Sequence, residues 1–108
     1  MNNEITYKAV TVHTGEVLHR ITYANDEMAF VDNRKNTVSS VCDNSTAIRW
    51  WQYDVAKNEL VVLYQNNPTY YHYAGVPYSA MFAMLSADSL GAFVAKEIKP
   101  NFALSATY

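Results

Sequence analysis

The sequence predicts an α+β domain: an antiparallel β-meander, two C-terminal helices packed on one face of it, and an N-terminal β-hairpin extension. Three observations predict it. Between residues 37 and 73, short β-prone runs alternate with polar turn clusters. After Val76-Pro77 the apolar residues change from alternate spacing to helical spacing. Tyr71 and Tyr73 stand two apart just before that change, so on a strand both rings share a face at the joint between sheet and helices. A chain of 108 residues, half of them hydrophobic, suits one fold with a small core. It divides into an extension over residues 1–37 and a main unit over residues 38–108.

The elements follow in order. Residues 5–13 alternate loosely, with Ile5, Tyr7 and Ala9 on one side, and run into Thr14-Gly15. Residues 17–23 read as a second extended run, so a hairpin closes around Thr14-Gly15. Asn25-Asp26-Glu27 is a helix-start signal, a capping side chain followed by acids. It predicts a short helix through Met28, Phe30 and Val31 that ends near residues 33–36, with an irregular crossover as the alternative. Residues 37–41 are β-prone, Asp43-Asn44-Ser45 breaks them, and residues 47–53 form an aromatic-rich strand. Residues 54–58 are turn material, residues 60–65 the next strand, and Asn66-Asn67-Pro68 turns the chain into residues 69–73. Short polar connections of this kind make an antiparallel meander.

Pro77 stops the sheet and suits the first turn of a helix. Met81, Met84 and Leu85 follow at helical spacing. Asp88 or Ser89 caps a second helix whose stripe is Leu90, Phe93, Val94 and Ile98, and Pro100 ends it. Residues 102–108 read as a last short strand. In the central strand Leu60, Val62 and Tyr64 point one way and Val61 and Leu63 the other, all apolar. A strand apolar on both faces is normally covered on both. The helices cover one, so the other is left to the N-terminal 37 residues, a second copy of the chain or a ligand, and N-terminal cover together with a homodimer is the favoured reading.

Composition narrows the function. Eight Lys and Arg stand against ten Asp and Glu, and residues 1–37 carry four positive and five negative charges, as do the remaining residues. No basic arm exists, which counts against non-specific binding of long nucleic acid. The single cysteine, Cys42, has no partner for a disulfide or a metal knuckle and points to a reducing compartment. A polar start and the lack of a long apolar run predict a cytoplasmic protein without a membrane span.

The order Ser39-Ser40, Tyr53-Asp54, residues 60–64, Tyr71-x-Tyr73, Val76-Pro77, Ala87-x-Ser89-x-Gly91 and Ile98-Lys99 resembles the KTSC domain. The resemblance covers residues 38–102. It implies a small module of the kind found at the C-terminus of some lysyl-tRNA synthetases and as stand-alone bacterial and phage proteins, with RNA binding as the usual suggestion. Three departures weaken that inheritance. Val94-Ala95 stands where the family tends to have Phe-Asn, Leu90 where it usually has lysine, and Val61 and Leu63 where acids tend to alternate. Each is expected to move a surface position toward apolar character and so to favour an interface or a pocket.

Catalysis is the poorest reading. His13, His19 and His72 lack ligand spacing, and a turn at Thr14-Gly15 sets His13 near Glu16 and His19 opposite Val10, so no metal site is expected. Cys42 reads as a small packing residue, Asp54 and Glu59 as solvated acids flanking a turn, and Ser39-Ser40 as local hydrogen-bonding groups. Three glycines make no phosphate loop. No cofactor is expected.

Binding is better supported. Of 15 Phe, Trp and Tyr, nine fall between Trp50 and Phe82. Tyr71 and Tyr73, with Trp50 or Trp51 and Tyr53 on a neighbouring strand, offer a stacking platform for bases, each stack contributing ~1–3 kcal/mol. Strict alternation puts Arg49 on the face of Trp51 and Tyr53, where a guanidinium holds a phosphate. His72 lies between the two tyrosines, and Lys96 and Lys99 add charge from the second helix. The competing reading is that the rings are core and that Arg49 pairs with Asp54 or Glu59. Two functions follow. The first is binding of a nucleotide or short single-stranded nucleic acid, for instance in a phage protein that sequesters a host signal nucleotide. The second is homo-oligomerisation or docking on a host or partner protein through the apolar second face.

Overall fold

In the computed structural model, the backbone is described for residues 3–7, 10–14, 18–22, 28–32, 34–42 and 45–107, and side chains from residue 29 onward within those ranges. Among the described residues nine strands form one antiparallel sheet in strict chain order. They are β1 (Asn3–Tyr7), β2 (Val10–Thr14), β3 (Leu18–Thr22), β4 (Met28–Asp32), β5 (Thr37–Val41), β6 (Ile48–Asp54), β7 (Glu59–Tyr64), β8 (Tyr70–Tyr73) and β9 (Leu104–Thr107). Helices α1 (Tyr78–Leu85) and α2 (Leu90–Phe93) lie between β8 and β9, and α2 runs straight into a π-helical turn (Val94–Ile98). The expected class holds: an antiparallel meander with two C-terminal helices and a paired N-terminal extension.

Turn chemistry explains the meander. Asn36, Asn58 and Asn66 adopt positive φ, a conformation asparagine tolerates because its side chain hydrogen-bonds locally. Asp32 Oδ1 accepts from the Arg34 and Lys35 N–H groups and Asp54 Oδ1 from Lys57 N–H, fastening the turns before β5 and β7. Gly75, at φ 70°, and Pro77 end the sheet, and Ser89 Oγ caps α2 by accepting from Ala92 N–H at 3.3 Å.

The core lies between the helices and one sheet face. Register aligns Val38 with Tyr53, Tyr53 with Leu60 and Leu60 with Tyr73, while Ser40, Trp51, Val62 and Tyr71 form the next row. Against these rows pack Met81, Met84 and Leu85 of α1, then Leu90, Val94 and Ile98 of α2 and the π turn. Both helical stripes read from the sequence are therefore the buried ones, with Phe93 partly covered.

The extension differs from expectation in three respects. Residues 28–32 are strand β4, paired with β3 and β5, and not a helix. Asn25 to Glu27, which prompted the helix, lie outside the described residues. The run is too short to propagate a helix alone, and pairing on both sides satisfies its backbone instead. Residues 5–13 hold two strands, with Ile5 opposite Val12, because the sequence carries no Gly or Pro punctuation between them. Finally, β2 and β3 pair Thr11 with Thr22 and His13 with Arg20, so Thr14 is the end of a strand, and Gly15, the other half of the expected turn, lies outside the described residues. That register lines up Ile5, Val12, Ile21 and Ala29 in one row across four strands. The side chains of His13 and His19 lie outside the described residues.

The N-terminal strands thus extend the sheet edge to edge, and among the described residues no helix covers its second face. On that face Val61 and Leu63 are nonetheless only 9 % exposed. Their cover is lateral: Gln52 and His72 flank Val61, and Trp50 and Tyr70 flank Leu63. Leu90 and Val94, expected as surface departures toward apolar character, are buried in the core. Of the three departures, only Val61 and Leu63 alter the helix-free face.

Candidate ligand-binding face

The residues expected to form one platform are divided between two faces. Trp51, Tyr53 and Tyr73 are buried in the core, so the packing reading holds for them. The Tyr53 hydroxyl donates to the Val76 carbonyl at 2.7 Å, and its ring meets Tyr78 edge-on. Burial foremost, then the neighbouring Tyr78 and Asp54, pushes the Tyr53 phenol above its ordinary pKa. Tyr71 is half-buried on the same face, beside Tyr64 at 5.3 Å between centroids. Lys99 reaches it from the end of the π turn, and its Nζ sits 5.6 Å from the Tyr64 ring centre. Together Tyr64, Asn67, Tyr71, Tyr73, Lys99 and Leu104 line a recess of about 270 Å³. Lys96 is exposed and lines neither this recess nor the one on the opposite face.

Arg49 lies on that opposite face, away from Trp51 and Tyr53. Ile48 pairs with Tyr64, but Trp50 pairs with Leu63, so a β-bulge makes Arg49 an extra residue without a partner. Alternation is broken there, and Arg49 is turned out with Trp50. Burial of both Ile48 and Trp51, three residues apart, is the structural mark of this bulge, since a regular strand puts only even spacings on one face.

The bulge creates a site on the helix-free face. Arg49, Trp50, Val41, Leu63 and Tyr70 line an open recess of about 330 Å³. The Trp50 and Tyr70 rings meet edge-to-face, 5.7 Å between centroids at 87°. Among the described residues the Arg49 guanidinium has no ion pair, which excludes the expected bridge to Asp54 or Glu59. Val41 is 65 %, Phe30 46 % and Tyr70 41 % exposed, which makes this an apolar, aromatic surface with one unpaired cation. Sequence reasoning favoured the wrong member of the Trp50-Trp51 pair and passed over Tyr70 and Val41.

His72 sits on this face too, paired through Nδ1 with Glu59 at 3.4 Å. Ser105 Oγ lies 3.1 Å from Glu59 Oε2 and 3.2 Å from the His72 backbone carbonyl. Ser105 thus ties the Glu59 carboxylate to the β8 backbone. Cys42 is buried, its Sγ 3.8 Å from Ser40 Oγ. A groove of about 460 Å³ runs between residues 45–47 and the start of α2. Among the described residues no cluster of His, Cys, Asp and Glu is placed to hold a metal, and no helix is long and apolar enough to cross a membrane.

The fold defines a class: an α+β module with one sheet face roofed by two helices and an aromatic face without one. The chain belongs to the KTSC domain family, which matches residues 44–102, more than half of its length. Strands β1 to β5, including Ser39-Ser40, precede that match. No curated protein and no solved structure matches the chain.

Proposed function

We propose that the protein is a non-catalytic binding module whose helix-free sheet face stacks bases of a nucleotide or short single-stranded nucleic acid. The observation that carries this reading is the unpaired Arg49 beside the Trp50–Tyr70 pair at an open recess. Aromatic rings on a rigid sheet stack any base, and a guanidinium presents a two-pronged donor to phosphate. Balanced charge favours a ligand with few phosphates over a long polymer.

Fluorescence tests it, because Trp50 is partly exposed while Trp51 is sealed in the core and acts as an internal reference. Short oligo-U, oligo-dT and mononucleotides are expected to quench the Trp50 emission saturably. Arg49→Ala should weaken binding by about 10- to 150-fold, the equivalent of ~1.5–3 kcal/mol for a charge-assisted hydrogen bond. No saturable quenching, or an Arg49→Ala protein that binds as the parent does, refutes the proposal.

A second reading rests on Phe30 and Val41, which are apolar and exposed on the same face. There the face is closed by a second copy of the chain. A dimer by light scattering, with Trp50 shielded from iodide, assigns the face to that copy.

A further inference from the structure

On the helix-covered side, the recess bounded by Tyr64, Tyr71, Tyr73 and Lys99 has a surplus of hydrogen-bond donors. Thr69 N–H donates to Asn67 Oδ1 at 3.0 Å, which fixes the amide orientation and aims Nδ2 at the Tyr71 hydroxyl, 3.1 Å away. Tyr71 is therefore an acceptor in that bond, and its own proton is left over. The Tyr64 and Tyr73 hydroxyls lie 2.8 Å apart; one donates to the other, and the second proton of that pair is also left over. Two phenolic protons and one ammonium thus border a cavity of about 270 Å³ with no carboxylate side chain among the described residues that line it.

The π turn is what brings the ammonium there. Lys99 N–H bonds to the Val94 carbonyl five residues back, at 2.9 Å. In an α-helix, residue i+5 is about 140° round the axis from residue i. In a π turn it lies much nearer the line of residue i, so Lys99, itself exposed, is brought round toward the side of Val94 and extends over Tyr64. Burial first, then the Tyr73 hydroxyl, raises the Tyr64 pKa well above its ordinary value. Its phenol consequently stays protonated beside the cation and remains a donor.

From this donor surplus we infer that the recess is an oxyanion site. It takes a compact carboxylate or phosphate group, with Lys99 supplying the charge and Tyr71 and the Tyr64–Tyr73 pair the directed hydrogen bonds. It lies on the face of the sheet opposite Arg49 and Trp50, and so stands independently of base stacking.

The test is titration of the ¹⁵N-labelled full chain with inorganic phosphate and, separately, with acetate, against chloride at matched ionic strength. Saturable shifts confined to Tyr64, Asn67, Tyr71, Lys99 and Leu104 are expected with at least one of the two anions, and which one saturates identifies the group accepted. Lys99→Met and Tyr71→Phe keep the packing stems and should each weaken binding about tenfold or more, the loss of one charge-assisted hydrogen bond. Arg49→Ala should leave it intact. Shifts that drift linearly with both anions, or an undiminished response in Lys99→Met, overturn the assignment.

Discussion

Replacing Gly91 by alanine tests how closely α2 is held against the sheet. A Cβ on Gly91 would stand 2.7 Å from the Cβ of Ala47, whereas carbon atoms in contact prefer ~3.5–4.0 Å. The two segments must separate by about 1 Å, and no rotamer change relieves a contact between two Cβ atoms. Neither side yields readily. Ala47 is fixed by the bond from Gln65 N–H to its carbonyl at 2.9 Å, and its own N–H reaches Ser45 Oγ at 3.3 Å. On the other side, Leu90 is buried and Ser89 caps the helix. Overpacking of this kind costs ~1–3 kcal/mol. Against it stands the ~0.5–1 kcal/mol by which alanine outperforms glycine in a helix. A net loss of ~1–2 kcal/mol lowers Tm by roughly 4–15 °C in a domain of this size. Thermal unfolding by circular dichroism measures it. Ala47→Gly removes the opposing methyl, so the double variant should recover most of the loss. A Gly91→Ala protein as stable as the parent, or a double variant no better than the single, refutes the close-contact explanation of this glycine.

Two further predictions concern the buried tyrosines. Tyr53→Phe strands the Val76 carbonyl inside the core and should cost ~1–3 kcal/mol by urea unfolding, while Tyr78→Phe on the exposed neighbour stays within about 0.5 kcal/mol. Alkaline pH should destabilise the fold. Tyr53 and Tyr64 have native pKa values raised above the ordinary 10.0, so the unfolded chain releases protons that the native chain retains. Their contribution is complete below pH 10 and declines as pH rises past it. Phenolate absorbance should accordingly show the buried Tyr53 ionising only together with unfolding and the half-buried Tyr64 only well above pH 10; ionisation of either at its ordinary pKa in the folded protein contradicts these shifts.

The meander from residue 37 to 73 was legible because each strand is bracketed by Asn, Asp or Pro at a turn, a signal that works over a few residues. The helices were legible from Met81, Met84, Leu85 and from Leu90, Val94, Ile98 for the same local reason. The extension was less so. Its strands lack punctuation at residues 8 and 9, and the acids before Met28 imitate a helix start. The expected platform came apart in two ways: Trp51, Tyr53 and Tyr73 turn into the core, and the bulge sets Arg49 with Trp50 where strict alternation set it with Trp51. A one-residue insertion reverses the face of a side chain, and nothing in the chemistry of Arg-Trp-Trp announces which ring will be buried.

What the sequence determined alone was local: turn positions, strand and helix stripes, the aromatic concentration, and the family through its ordered motifs. What the tertiary structure decided was relational. Gly91 is visible in the sequence as part of a motif, but its need for a bare α-carbon exists only because Ala47 approaches from forty-four positions earlier in the chain. The same holds for Lys99 above Tyr64, which depends on a π turn, and for the division of tyrosines between core, recess and open face. Spacing specifies which side chains share a side of their own element; which neighbour meets them there is set by cross-strand register and by the helix that packs above.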